Sequence, residues 1–168
     1  KIKALYQNSV DAGSDLSICA SLEAISLEGL ASLPGGNWSG LGIFGASADS
    51  VDLSLLGPGE HTLVYSLGEE SCIASDVIQL TILPSPLMWI EFPDGVVCDG
   101  DYVELIAEPV GGNSSDYSIE WSSNMEVSDS DSSLASILVN NPVQVSATAI
   151  DALGCFSSLD LTIQPFPV

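Results

Sequence analysis

The chain has almost no basic residues. Its 168 residues include no arginine and only two lysines, Lys1 and Lys3, against 23 acidic residues, so the formal net charge is −21 at pH 7. A charge of this size repels phosphate backbones and anionic lipid surfaces over long distances. The composition therefore argues against nucleic acid as a partner.

Long apolar runs are also missing. Hydrophobic residues make up 46% of the chain, yet they are scattered in short runs, and no run approaches the 18 residues of a membrane-spanning helix. We therefore predict no membrane insertion. We find no initiator methionine and no signal peptide, and we interpret the chain as a fragment, so signals for export or anchoring would lie elsewhere.

Catalytic and cofactor-binding patterns are absent as well. The single histidine, His61, lacks a nearby cysteine, a second histidine or an evident nucleophile, so it completes neither a catalytic triad nor a metal site. No phosphate-binding loop is present. We predict a protein that is not an enzyme and has no cofactor, with calcium left open below.

What the chain does contain is an internal repeat. Three residues of the first half recur in the second half: Cys19, Trp38 and Cys72 correspond to Cys98, Trp121 and Cys155. The interval from the tryptophan to the second cysteine is 34 in both halves. Each half closes on a Pro-x-Pro segment, which favours an extended connector. We predict two domains, 1–84 and 85–168, joined by a short proline-rich linker.

Hydrophobic residues alternate with polar ones inside each half. Residues 143–150 place valine and alanine on one face and glutamine, serine and threonine on the other, and residues 77–82 repeat the theme. This period of two predicts antiparallel strands with one buried face. Short strands with a Cys…Trp…Cys pattern predict an all-β fold of two tandem immunoglobulin-like β-sandwich domains. Trp38 and Trp121 are then core residues, and a carbohydrate-stacking platform is the alternative.

Particular segments also resemble a known class of repeat. Gly36-Asn37-Trp38-Ser39-Gly40 in the first half and Asp151-Ala152-Leu153-Gly154-Cys155 in the second are similar to the Ig-like/PKD-like repeats of giant secreted surface adhesins or filament proteins of gliding bacteria. The resemblance implies a non-catalytic structural segment of a large extracellular protein (a stalk, filament or adhesin) secreted to the cell surface. Its partners would be neighbouring repeats of the same chain, or further copies in a homo-oligomer or filament.

The runner-up function is a binding module for glycans or a cell surface, assisted by calcium. Such a module would show exposed aromatic residues or a calcium-bridged loop cluster. Trp89 has no counterpart in the first half at its register, and a contact at the domain junction is one hypothesis for it. If copies assemble side by side, outward apolar residues such as Val77 and Ile150 would make the contact.

The four cysteines allow three pairings. The repeat favours disulfides Cys19–Cys72 and Cys98–Cys155, because each domain must then close alone. A zinc site or a reactive thiol would need close spacing or a basic neighbour, and neither exists. Structural disulfides imply an oxidising, extracellular compartment.

Two acidic pairs have the spacing of calcium ligands. Asp99 and Asp101 flank a glycine, and Asp129 and Asp131 flank a serine. Neither run completes a calcium loop with its terminal glutamate. We therefore predict solvated acidic loops and no metal site, and these four residues are the calcium candidates if one exists.

Overall fold

The computed structural model describes residues 10–21, 23–45, 48–69, 72–92, 95–128 and 132–166. The chain divides into two compact units, unit 1 from Lys1 to Leu83 and unit 2 from Pro84 to Val168. The division falls one residue before the predicted boundary. Among the described residues the regular structure is β-strand, apart from one turn of 3-10 helix at Leu53–Leu55.

Unit 1 forms two sheets, in the orders β1-β7-β6-β3 and β2-β5-β4. Strand β1 runs parallel to β7, whereas the other neighbouring strands are antiparallel. The strands are β1 Leu16–Cys19, β2 Ala24–Ser26, β3 Asn37–Ser39, β4 Ile43–Phe44, β5 Ser50–Asp52, β6 Gly59–Glu69 and β7 Cys72–Leu83.

Unit 2 forms two antiparallel sheets, in the orders β11-β12-β9-β8 and β10-β13-β14. These orders correspond to the ABED and CFG sheets of an immunoglobulin sandwich of the constant type. The predicted fold class is confirmed. The strands are β8 Pro86–Glu91, β9 Asp101–Gly111, β10 Tyr117–Ser123, β11 Val127–Ser128, β12 Leu134–Val139, β13 Val143–Asp151 and β14 Phe156–Ile163.

Each unit has its own hydrophobic core, built from the inward positions of its strands. In β13 the buried hydrophobic residues are the predicted ones, Val143, Val145, Ala147 and Ala149. Alternate residues of β7 likewise enter the core of unit 1. The pattern weakens at β14, where Leu159 is 40% exposed although it belongs to the apolar face. Strand β14 lies at the edge of its sheet, so fewer neighbours cover it.

Candidate interaction face and cysteine sites

The two repeated tryptophans occupy equivalent strands and enter the two cores. Trp38 on β3 is 5% exposed and Trp121 on β10 is 6% exposed. The Trp38 ring lies 5.0 Å from the ring of Tyr65, centroid to centroid. The Trp121 indole nitrogen donates a hydrogen bond to the carbonyl oxygen of Ser132 at 2.7 Å. Both indoles are too deeply buried to serve as carbohydrate platforms.

The cysteines do not pair as the repeat suggested. Cys19 and Cys155 are disulfide-bonded, whereas Cys72 and Cys98 are free thiols. Neither Cys19–Cys72 nor Cys98–Cys155 is formed, so this expectation is corrected.

The geometry of unit 1 explains the first failure. Cys19 lies beside Leu83 at the end of β7, because β1 runs parallel to the last part of that strand. Cys72 is the first residue of β7, at the hairpin with β6. The two cysteines are therefore separated by nearly the full strand, about 35 Å at the usual rise per residue. A disulfide requires α-carbons closer than about 7 Å.

The same geometry applies in unit 2. Cys155 directly precedes β14, while Cys98 forms a parallel bridge with Phe166, beyond the other end of that strand. The eleven residue steps from Cys155 to Phe166 correspond to about 35 Å at the same rise per residue. In antibody domains a disulfide joins the middle of strands B and F. Here the corresponding strands β9 and β13 bury Leu105 and Ala147 instead, and the cysteines lie at strand ends.

The turn before β14 is organised by the carboxylate of Asp151. One carboxylate oxygen accepts hydrogen bonds from the backbone N–H groups of Leu153 and Cys155, both at 2.9 Å. The other accepts from the backbone and side-chain nitrogens of Asn113, both at 3.0 Å. Gly154 has φ of 85°, a left-handed conformation that glycine adopts without strain. The Asp-x-x-Gly-Cys pattern is thus a backbone-bracing turn.

These hydrogen bonds favour the ionised form of Asp151. Its pKa is lowered, chiefly by the backbone hydrogen bond from Asn113, against the opposing effect of burial. Asp76 in unit 1 behaves similarly: it accepts a hydrogen bond from Ala12 N at 2.9 Å, which is the main cause of its lowered pKa. Sequence reasoning missed Asp76, because its partner lies 64 residues away in the chain.

The acidic calcium candidates are not brought together. Asp101 accepts a hydrogen bond from Cys98 N at 2.7 Å and so braces the turn before β9, while Asp99 is exposed. Asp129 and Asp131 lie outside the described residues. In the part of the chain that the structure describes, no group of three potential ligands could hold a metal ion. His61 is half-buried, and its Nε2 lies 2.8 Å from the carbonyl oxygen of Gly57.

An exposed surface of unit 2 has a composition that the sequence analysis did not identify. The outward side chains of β8, β9 and β12 lie on one side of the four-stranded sheet, because their neighbours in sequence enter the core. We call this surface the apolar–acidic face. Its exposed hydrophobic residues are Leu87, Trp89, Tyr102, Ile106, Val110 and Leu134. Its acidic residues are Glu91, Glu104 and Glu108.

The strand register places residues of this face directly opposite one another on neighbouring strands. Leu87 pairs with Val110, and Trp89 pairs with Glu108. The indole nitrogen of Trp89 donates a hydrogen bond to the Glu108 carboxylate at 2.7 Å. The sequence of β9 did indicate two faces, because residues 102–110 alternate between the two sides of the strand. Alternation alone does not show which of the two faces is covered.

Comparison with known proteins identifies the fold class and no family. No family model and no curated protein matches the chain. In the described residues, no helix is long and apolar enough to cross a membrane. The fold is that of tandem immunoglobulin-like sandwiches.

Solved structures of extracellular domains are similar to this chain at low identity. The N-terminal eight immunoglobulin domains of Down Syndrome Cell Adhesion Molecule match 95% of this chain at 12% identity, with a TM-score of 0.55. The ectodomain of mouse nectin-like molecule 4 matches 79% at 14% identity (TM-score 0.42), and extracellular domains 3–5 of Drosophila OTK match 91% at 8% identity (TM-score 0.41). The matches cover 24%, 50% and 59% of those chains, respectively.

Proposed function

We propose that the chain is a structural or adhesive segment of an extracellular protein and is not an enzyme. The observation that carries this proposal is that several of its carboxylates bind the backbone. The carboxylates of Asp76, Asp101 and Asp151 accept backbone hydrogen bonds and hold turns and strand ends in place. Groups that brace the backbone in this way are suited to rigidity.

The disulfide supports an extracellular location. Disulfides persist in oxidising compartments and are rare in reducing ones, and Cys19 and Cys155 are disulfide-bonded. The high negative charge keeps such a segment soluble. The resemblance to repeats of bacterial surface adhesins and filaments points to the same role, with neighbouring repeats as partners.

The apolar–acidic face favours an adhesive contribution over a purely spacing one. Exposed apolar patches on soluble domains commonly mark sites of interaction. The runner-up function, binding of a glycan or cell surface, would use this same face. Calcium assistance stays a prediction, to be tested by the effect of millimolar calcium on the melting temperature.

Single-molecule pulling under reducing conditions tests the structural role. We expect two separate unfolding events, because each unit has its own core, and each should release roughly 28 nm of chain for about 80 residues. A gradual extension without separate events would contradict the proposal. A chain carrying Trp121→Ala should lose or weaken one event and keep the other.

A further inference from the structure

We propose that the apolar–acidic face binds a basic polypeptide segment in which cationic and aliphatic side chains alternate. The inference deepens the adhesive role proposed above and rests on it. It assigns to this face a partner class, a docking direction and the residues that contact the partner.

The face offers an apolar surface long enough for an extended segment. On β9 the outward residues are alternately apolar and acidic along the strand: Tyr102, Glu104, Ile106, Glu108 and Val110. Equivalent positions recur about every 6.7 Å, two residues apart. A partner strand has the same repeat, so its alternate side chains can meet these positions one for one.

Neighbouring strands widen the apolar part of this surface. Leu87 lies across from Val110 on one side, and Leu134 lies across from Ile106 on the other. Leu87 is 71% exposed and Tyr102 is 74% exposed. Covering such side chains removes apolar area from water, which stabilises a complex.

Charge selects the partner. Residues 84–168 contain no lysine, arginine or histidine, so no cationic side chain of unit 2 neutralises Glu91, Glu104 or Glu108. An arginine over Glu104 or Glu108 would form a charge-assisted hydrogen bond. A partner with opposite charge is also steered to the face, with an association rate that falls as salt is added.

The same charges disfavour the other candidate occupants. A second copy would bring a further formal charge of −21 with only two lysines to the contact. A glycan would need both hydrogen-bond donors and acceptors, whereas ionised carboxylates only accept. The indole donor of the face, Trp89 Nε1, is already bonded to Glu108, so a glycan would find few donors, such as the hydroxyl group of the exposed Tyr102, beside three carboxylates.

Trp89 has a positioning role in this scheme as well as a contact role. Its hydrogen bond at 2.7 Å holds the Glu108 carboxylate against the face. Trp89→Phe should keep much of the apolar contact and release the carboxylate. Trp89→Ala should remove both.

Binding to a synthetic peptide tests the proposal with the full chain. The probe is a short peptide in which every second residue is serine. The positions between the serines are alternately leucine and arginine. A second peptide of equal charge carries serine in place of leucine. We expect the leucine-containing peptide to bind more tightly by about tenfold, because the second peptide has only the electrostatic contact.

Variants of the chain distinguish the face from general charge attraction. We expect Trp89→Ala, and separately the triple variant Glu91→Gln, Glu104→Gln and Glu108→Gln, to weaken binding by about tenfold. The matched control is Asp116→Asn, Glu120→Gln and Asp160→Asn, which removes equal charge outside the face. It should stay within about twofold of the wild type. Near-ultraviolet circular dichroism checks that each variant is folded.

Several outcomes would overturn the inference. Equal loss in the two triple variants would show that only net charge matters. Binding of a neutral glycan, abolished by Trp89→Ala, would assign the face to carbohydrate. Self-association abolished by Trp89→Ala would assign it to a second copy. If the peptide fails to bind while the pulling experiment still shows two unfolding events, this inference is rejected. The structural role is then unaffected.

Discussion

Unit 1 and unit 2 place the first of their described strands on different sheets. In unit 1, β1 joins β7 in a parallel pair, and in unit 2, β8 joins β9 in an antiparallel pair. Within the described residues, the sheet of unit 1 that does not contain β1 has strands of two or three residues. The corresponding sheet of unit 2 has four strands and carries the apolar–acidic face. Two halves with the same cysteine and tryptophan markers therefore expose different surfaces.

The two units also hold their first strands by different means. In unit 1, carboxylates do part of the work: Asp76 accepts from Ala12 N, and Asp15 accepts from Gln79 N at 2.8 Å. In unit 2, β8 pairs with β9 along its full length, from Pro86 to Glu91. Strand β1 also pairs along its full length, with β7, but it has four residues against six in β8, so the side-chain hydrogen bonds of unit 1 supplement a shorter backbone ladder.

Removing the buried indoles should have the largest effect. Trp38→Ala and Trp121→Ala should each lower the free energy of unfolding of their own unit by about 3–5 kcal/mol, from lost burial and the cavity left behind. Urea unfolding followed by fluorescence measures this. Trp89→Ala is the matched control, and it should cost about 1 kcal/mol or less because the side chain is half exposed. A loss at Trp89 equal to that at Trp121 would contradict the assignment of cores.

Removing one disulfide-bonded cysteine should have the next largest effect. Cys155→Ser should destabilise the oxidised chain by about 2–4 kcal/mol. Cys72→Ser should change stability by less than about 0.5 kcal/mol, since Cys72 is an exposed free thiol.

Thiol labelling of the native wild-type chain provides an independent check. Cys72 should react first and Cys98 more slowly, because Cys98 is partly buried. Labelling of Cys19 or Cys155 without reductant would show that the disulfide assignment is wrong.

Phenylalanine substitutions sharpen the comparison between the two indoles. Trp121→Phe leaves the carbonyl oxygen of Ser132 without its indole donor, whereas Trp38→Phe preserves a ring beside Tyr65. We expect Trp121→Phe to be the more costly by about 1 kcal/mol. Equal losses, measured by urea unfolding, would show that the Ser132 hydrogen bond contributes little.

The acid dependence of stability should show the smallest effect. It distinguishes the contribution of Asp151 from that of an exposed acidic residue. Because the pKa of Asp151 is lowered in the folded state, its stabilising contribution is complete above its unfolded pKa of about 3.9 and is lost as the pH falls through the folded value. Asp151→Asn should lower the melting temperature at neutral pH and weaken its fall below pH 4. The control Asp160→Asn, at an exposed position, should leave the acid dependence unchanged. An unchanged acid dependence in Asp151→Asn would contradict the bracing role.

The sequence was sufficient for the strands and the cores because those features have a local signature. The alternation of residues 143–150 marks one buried face whatever the partner strand is. The same argument identified residues 77–82, and the repeat placed the domain boundary within one residue of the structural division. The turn from Asp151 to Cys155 is local too, because Asp151 accepts hydrogen bonds from the backbone of Leu153 and Cys155. Its hydrogen bonds from Asn113, 38 residues away, are not visible in that pattern.

Disulfide pairing and surface composition depend on the arrangement of strands in three dimensions. The repeat suggested that Cys19 pairs with Cys72, but the parallel register of β1 with β7 places them at opposite ends of a long strand.

The apolar–acidic face arises because β8 adds to the sheet of β9, and no pattern within β8 specifies that neighbour. Period-two alternation determines which residues share a face. Only the tertiary structure decides which strands lie side by side and which face remains open to a partner, because strand pairing joins residues far apart in the chain.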